Sequence, residues 1–193
     1  MQLFEPSFGD VLDFWYGPPS TRGTQRPEWF RKDEKFDALI RERFGELLER
    51  AARREMEAWR AEPQSMNALI LVLDQFSRNL FRDSARAFAQ DAHARECVRE
   101  AIARGDEAKL LPVQRVFLYM PLEHSEDVAD QKSCLERMRA LEAFPETHGF
   151  TQWAEKHKAV IDRFGRFPHR NAILGRTSTV EETAFLAQPG SRF

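Results

Sequence analysis

With 193 residues, 42% hydrophobic and 31% charged, the chain can bury a sizeable core and has the composition of a globular, water-soluble protein. Its formal net charge of -2 disfavours a general nucleic-acid binder. Its longest unbroken apolar run, Ala68 to Leu73, is far shorter than the ~20 residues that span a bilayer. No membrane segment is expected, and an N-terminus with Glu5 and Asp10 but no basic-then-apolar leader makes cytoplasmic residence the default.

The pattern is helical nearly throughout, with no segment of strand alternation between turns, so the expected fold class is all-α. The first helix covers 7–16 and stops at Gly17-Pro18-Pro19, which opens a loop through Arg26. Over 33–61, Phe36, Ile40, Phe44, Leu47 and Leu48 recur at helical spacing with charges opposite, the mark of an amphipathic surface helix. Beyond Pro63, a helix over 65–80 is apolar on every side at its centre, which predicts burial. Ser84 is placed to cap a helix reaching Arg104, with Phe88, Ala92 and Val98 inward and Gly105 as its left-handed terminator.

Pro112 opens a short apolar helix to Met120, which Pro121 terminates. Helices over 126–142 and 150–164 follow, the second ending at Gly165. A short turn over 169–174 stops at Gly175, and a last helix starts at Thr179, where Ser178 with Glu181 fits a capping box. About nine helices joined by short loops predict antiparallel neighbours stacked as hairpins in one helical domain over 1–193. No self-similarity near 34 or 40 residues is evident, so pattern alone does not establish a repeat array.

Polar side chains that continue a buried element must be paired or face a cavity. Three segments do this. Asp74, Gln75, Ser77, Arg78 and Asn79 run straight on from the apolar centre of 65–80, with Asp74 and Arg78, and Gln75 and Asn79, four apart. Gln114 and Arg115 begin the Pro112 helix, and Glu123, His124, Ser125 and Glu126 follow its end. Arg163, Arg166, His169, Arg170, Asn171 and Arg176 form a stretch with four arginines and no acid. Residues 121–131 carry four acids and no Lys or Arg, so the second and third segments could neutralise each other through bidentate arginine–carboxylate pairs.

Other chemistries find less support. Cys97 and Cys134 fall inside helical patterns and read as small core residues. His124, His157 and His169 lack the i,i+4 spacing of a shared zinc face, and no Glu-x-x-His pair of a di-iron bundle occurs, so no metal and no cofactor is expected. Ser125 beside His124 does not form a nucleophile–base pair, because sequence neighbours on a helix point apart. Four Trp and 16 Phe mostly fit apolar stripes, which makes them core. The 23 arginines against 6 lysines suit carboxylate or phosphate recognition, although surface ion pairs account for most of them.

Leu-Asp-Gln-Phe-Ser-Arg-Asn-Leu-Phe-Arg (73–82), Pro-Val-Gln-Arg-Val-Phe-Leu-Tyr-Met-Pro-Leu-Glu-His-Ser-Glu (112–126) and Arg-Phe-Gly-Arg-Phe-Pro-His-Arg-Asn-Ala-Ile-Leu-Gly-Arg-Thr-Ser-Thr-Val-Glu-Glu (163–182) resemble the bacterial "domain of unknown function 924" family. The resemblance runs from about Phe8 to the terminal Pro189-Gly190-Ser191-Arg192-Phe193. It implies an all-helical fold in the tetratricopeptide-repeat-like superfamily and implies no activity, so no catalytic residue is carried over.

Three functional readings follow. In the first, Arg78, Arg115, Arg166 and Arg170 present an electropositive pocket to an anionic small molecule or peptide end, oriented by Gln75, Asn79 and His169, with Asp74, His124 and Glu126 in the same site. In the second, Glu126 with His124 or His169 performs proton transfer in a small-molecule hydrolase. In the third, the ionic residues only fasten the fold and function lies in a protein interface. The first two require Arg78, His124 and Arg170 to converge.

Overall fold

The computed structural model describes residues 5–191, and among these it contains helices and turns and no strand. Helix α1 (Phe8–Tyr16) starts with a capping box between Ser7 and Asp10 and buries Val11, Leu12, Trp15 and Tyr16. Its C-terminal carbonyls are met by Arg26, which donates to Phe14 O and Trp15 O at 2.7 and 3.0 Å, and by Trp29 Nε1 at 2.8 Å from Trp15 O. Helix α2 (Glu34–Ala52), capped by Asp33, buries the predicted stripe of Phe36, Ile40, Phe44, Leu47 and Leu48. It ends well short of residue 61, because Arg54 adopts a left-handed conformation with φ of 62°, and the chain continues as a 3₁₀ turn, Glu57–Ala61.

The apolar helix expected over 65–80 is one buried column with an interruption. Helix α3 (Pro63–Leu71) passes into a π turn (Val72–Phe76) and then into the short α4 (Ser77–Leu80). Ser84 does cap, but what it caps is a 3₁₀ turn, Ala85–Phe88, and α5 (Asp91–Arg104) begins afterwards. That later start changes the phase: His93, Ala94, Cys97, Val98 and Ala101 face inward, while Ala92, expected inside, is exposed. Gly105 terminates α5 in the left-handed conformation.

Helix α6 (Pro112–Glu123) runs through Pro121 where a stop was expected. Proline leaves the Phe117 carbonyl without its bond and crowds it, yet the helix is carried past it, with His124 N donating to Met120 O at 2.9 Å to close the final turn. Helix α7 (Val128–Leu141) starts later than predicted because Asp127 is the cap, accepting from Ala129 N and Asp130 N. This leaves Glu126 outside the helix. After α8 (Thr151–Phe164) and the left-handed Gly165, a 3₁₀ turn (Pro168–Arg170) leads to α9 (Val180–Leu186). Its capping box is Thr179 with Glu182, one residue later than predicted, since Ser178 Oγ instead accepts from Asn171 Nδ2 at 3.0 Å.

Helix α3 is central, packing on α1, α5 and α6, while α2 covers the π turn and α4. Helices α6, α7 and α8 lie side by side in chain order. One apolar core draws its buried members from Val11 to Ala154 and includes both cysteines, which are free thiols. A small second cluster of Val160, Ile161 and Phe167, with Phe164 and Phe185 against it, seats the C-terminal segment.

Candidate functional site

The π turn places Asp74 where the end of α6 meets the start of α5. Asp74 is 1% exposed and both its carboxylate oxygens are engaged. Oδ1 lies 2.9 Å from Arg78 Nη1 and 2.8 Å from His124 Nδ1, and Oδ2 accepts from Gln75 Nε2 at 2.6 Å. Arg78 also forks onto Asp91, at 3.0 and 3.2 Å, and Asp91 Oδ2 lies 3.5 Å from Arg170 Nη1. Arg78, His124 and Arg170, from three distant stretches of sequence, thus join through two carboxylates. Burial alone would raise the Asp74 pKa, but Arg78 and then His124 hold it well below the carboxylate range. Burial, and then Arg78, lower that of His124.

These groups border a cleft of about 310 Å³ lined by Phe88, Asp91, Arg95, His124, Glu126 and Arg170, with Ala85, Ala89 and Leu174 at its rim. Arg170 is 6% exposed and its guanidinium lies over the rings of Phe88 and Phe167, 4.6 and 4.5 Å from their centroids. Its Nε is buried without a hydrogen-bond partner, and burial, then Arg78, push its pKa down to about 10. Arg95 is also loosely matched. Its Nε stands 3.6 Å from Asp130, whose carboxylate already takes Arg99 at 2.8 Å and the Ser125 hydroxyl at 2.7 Å.

Behind the cleft, His157 Nδ1 is 2.9 Å from Trp153 O and 3.2 Å from Glu123 Oε1. Burial, then Asp74, push the Glu123 pKa up to about 8, and burial, then His124, push that of His157 down to about 3. Both shifts favour the uncharged forms near neutral pH. Glu126 is committed: Arg176 forks onto it at 2.7 and 3.0 Å, and Phe167 N donates to it at 2.8 Å. Burial would raise its pKa, but the Arg176 hydrogen bonds lower it. His169 lies 5.6 Å from Phe167, ring centroid to centroid, its pKa pushed down to about 4 by burial and then Arg170.

Not every sequence candidate belongs to this cleft. Gln75 bonds Asp74 and touches Met120 sulfur at 3.5 Å, and does not pair with Asn79. Asn79 instead donates to Asp37 at 2.7 Å beside Arg82, on a different surface. Arg115 sits near the other end of α6, its Nε donating to Leu110 O at 3.0 Å, and nine residues of helix separate it from His124 by about 13 Å. Arg166 forks onto Glu182 at 2.6 and 2.8 Å. Among the described residues, the acid-free C-terminal stretch meets the 121–131 acids at Glu126, through the Arg176 fork and the Phe167 N–H. Arg163 and Arg166 pair with Glu181 and Glu182, and Arg170 turns to Asp91.

Sequence reasoning missed Asp91, Arg95 and Phe88, which supply an anchor and two cleft walls. An acid and a base at i,i+4 on a polar helix read as a solvated pair, and only the side of α5 that meets the π turn distinguishes them. No group of three or more His, Cys, Asp or Glu among the described residues has the arrangement to hold a metal ion. No helix among them is long and apolar enough to cross a membrane.

Residues 11–190 match the family described as "Bacterial protein of unknown function (DUF924)", and the chain belongs to that family. It is similar to a solved protein of unknown function from Agrobacterium tumefaciens, with 40% identity over 93% of this chain and 96% of that one and a TM-score of 0.82. No curated protein matches it. Arg192 and Phe193, which close the terminal run of the resemblance, lie outside the described residues.

Proposed function

We propose that this DUF924 protein is a helical binding module whose cleft takes a small carboxylate- or phosphate-bearing molecule, or a peptide end, with Arg170 meeting the anion. The observation that carries the reading is Arg170 itself. It is a nearly buried cation on a cleft wall, with an unpartnered Nε and a carboxylate no closer than 3.5 Å. A buried guanidinium held so loosely has donors to offer, and charge-assisted bonds to a carboxylate or phosphate are the strong kind. Arg95 would assist from the adjoining wall, and Phe88 and Leu174 would flank the apolar part of the ligand.

Arg78 has a different role in this reading. Its guanidinium is shared between Asp74 and Asp91, so it holds the floor in place and is not available to a ligand. We take the chain as one helical domain over 1–193 working in the cytoplasm, with α6, α7 and α8 stacked in the manner of tetratricopeptide-like hairpins. No nucleic acid, membrane or cofactor enters the reading.

The test is a thermal-shift screen of the full chain against small mono- and dicarboxylates and phosphorylated metabolites. A ligand at 100 times its Kd adds about 2.7 kcal/mol, which for a protein of this size raises the midpoint by about 5–10 °C. Arg170→Gln should abolish the response and Arg166→Gln should keep it. Should Arg170→Gln fail to fold, Arg95→Gln takes its place, with a weakened response expected. A response that survives both cleft substitutions would overturn the reading.

A further inference from the structure

Asp74 and His124 do more than hold the floor of the cleft. Nδ1 of His124 is engaged 2.8 Å from Asp74, and the ring lines the cleft, so Nε2 is the nitrogen left for a ligand. An ionised carboxylate only accepts, so Asp74 fixes the tautomer with the proton on Nδ1 and the lone pair on Nε2. Asp74 cannot turn away, since Arg78 and Gln75 hold its two oxygens. Other groups around the ring are Arg78 from α4, Asp91 and Arg95 from α5, Glu126 after α6, His157 from α8, and His169 and Arg170 from the C-terminal segment. With burial and Arg78 opposing protonation, the imidazole is in its basic form at pH 7.

The charge balance limits what sits opposite. Of the charged side chains lining the cleft, the carboxylates of Asp91 and Glu126 are already taken by Arg78 and Arg176, while Arg95 and Arg170 stand 3.6 and 3.5 Å from their nearest carboxylates. That leaves Arg170 and Arg95 as the cations open to an incoming carboxylate. No Ser, Thr or Cys lines the cleft, and its carboxylates are held by arginines, so water is taken as the nucleophile.

We propose that His124 is the general base, and Asp74 its positioning residue, for hydrolysis of an ester whose acyl chain carries a free carboxylate held by Arg170. This rests on the anion-binding reading above. Nε2 takes a proton from water as the water oxygen bonds to the acyl carbon, and the carbonyl pair moves onto its oxygen, facing Arg95. The intermediate then collapses, the bond to the leaving oxygen breaks, and the imidazolium returns its proton to that oxygen. One ester and one water give one acid and one alcohol, and the protein is regenerated.

The experiment uses the full chain with 4-nitrophenyl hydrogen glutarate, neutral 4-nitrophenyl butyrate as comparison, and glutarate itself as the binding probe. The expected result is a kcat/KM at least tenfold higher for the anionic ester. His124→Gln should lower kcat by 10²-fold or more at nearly unchanged KM. Arg170→Gln should raise KM, and Asp74→Glu should retain part of the kcat that Asp74→Asn loses. Activity should fall as the pH drops through the lowered pKa of His124. Glutarate binding that depends on Arg170, with no hydrolysis above background or hydrolysis indifferent to His124→Gln, overturns the catalytic proposal and leaves the binding reading standing. Absence of glutarate binding, with no preference for the anionic ester, overturns the ester proposal, while the binding reading falls only if the metabolite screen above also gives no Arg170-dependent shift.

Discussion

Glu123 and His157 show how burial sets protonation residue by residue. Glu123 is raised to about 8 from an ordinary 4.5, so the folded protein holds its proton more tightly than the unfolded chain does. Its contribution to stability is complete below about pH 4.5 and lost as pH rises through about 8. His157, lowered to about 3 from 6.5, acts in the opposite sense: its contribution is present above about pH 6.5 and lost as pH falls through about 3. Glu123→Gln abolishes the first effect while keeping a hydrogen-bonding group beside His157. Thermal midpoints in matched buffers should therefore show the variant gaining on the parent between pH 5 and 8, by up to about 1.4 kcal/mol per pH unit. A difference that stays flat over that range would mean Glu123 is ionised in the folded protein.

At the scale of elements, two departures from regular helix shape the site. The π turn carries Asp74 and Gln75 within an otherwise continuous buried column, and such turns often mark functional positions. The left-handed Arg54 ends α2 and lets the chain return as a 3₁₀ turn, with its guanidinium reaching Glu96 on α5. That ion pair is half exposed and stabilises little, whereas the left-handed region, which costs any L side chain about 1–2 kcal/mol, is less accessible still to a β-branched one. Arg54→Val should accordingly destabilise by about 1 kcal/mol in urea unfolding, although most exposed substitutions stay within about 0.5 kcal/mol. Arg54→Gly should stay near the parent. Equal stability of the two variants would place the end of α2 elsewhere.

On the scale of the molecule, the C-terminal segment is joined to the rest mainly by polar contacts. The main core is built from residues 11–154, and the segment adds the small cluster around Phe167, the Arg176 and Phe167 N bonds to Glu126, and Arg170 with its contacts to Phe88 and Asp91. A chain ending at Gly165 should therefore keep its far-UV helical signal and a cooperative, lowered thermal transition, yet lose any response to glutarate. Loss of cooperative unfolding in that truncation would show that the segment is part of the folding unit itself, and not only a wall of the cleft.

The sequence by itself determined the all-α class, the buried column at 66–73, the inward stripe of α2 and the terminators Gly105 and Gly165, because each is a local matter of periodicity or backbone conformation. It also marked the stretches bearing Asp74, His124 and Arg170, since polar groups on apolar elements are costly unless paired. It could not show which partner each would take. Arg166 and Arg170 lie four apart in one arginine-rich stretch, yet one is fastened to Glu182 while the other lies over two rings in the cleft wall. Asn79 and Arg115 likewise look equivalent to their neighbours in sequence and face elsewhere. Only the tertiary structure decided these, because an ion pair between distant segments depends on how the helices cross, and no periodicity along the chain records it.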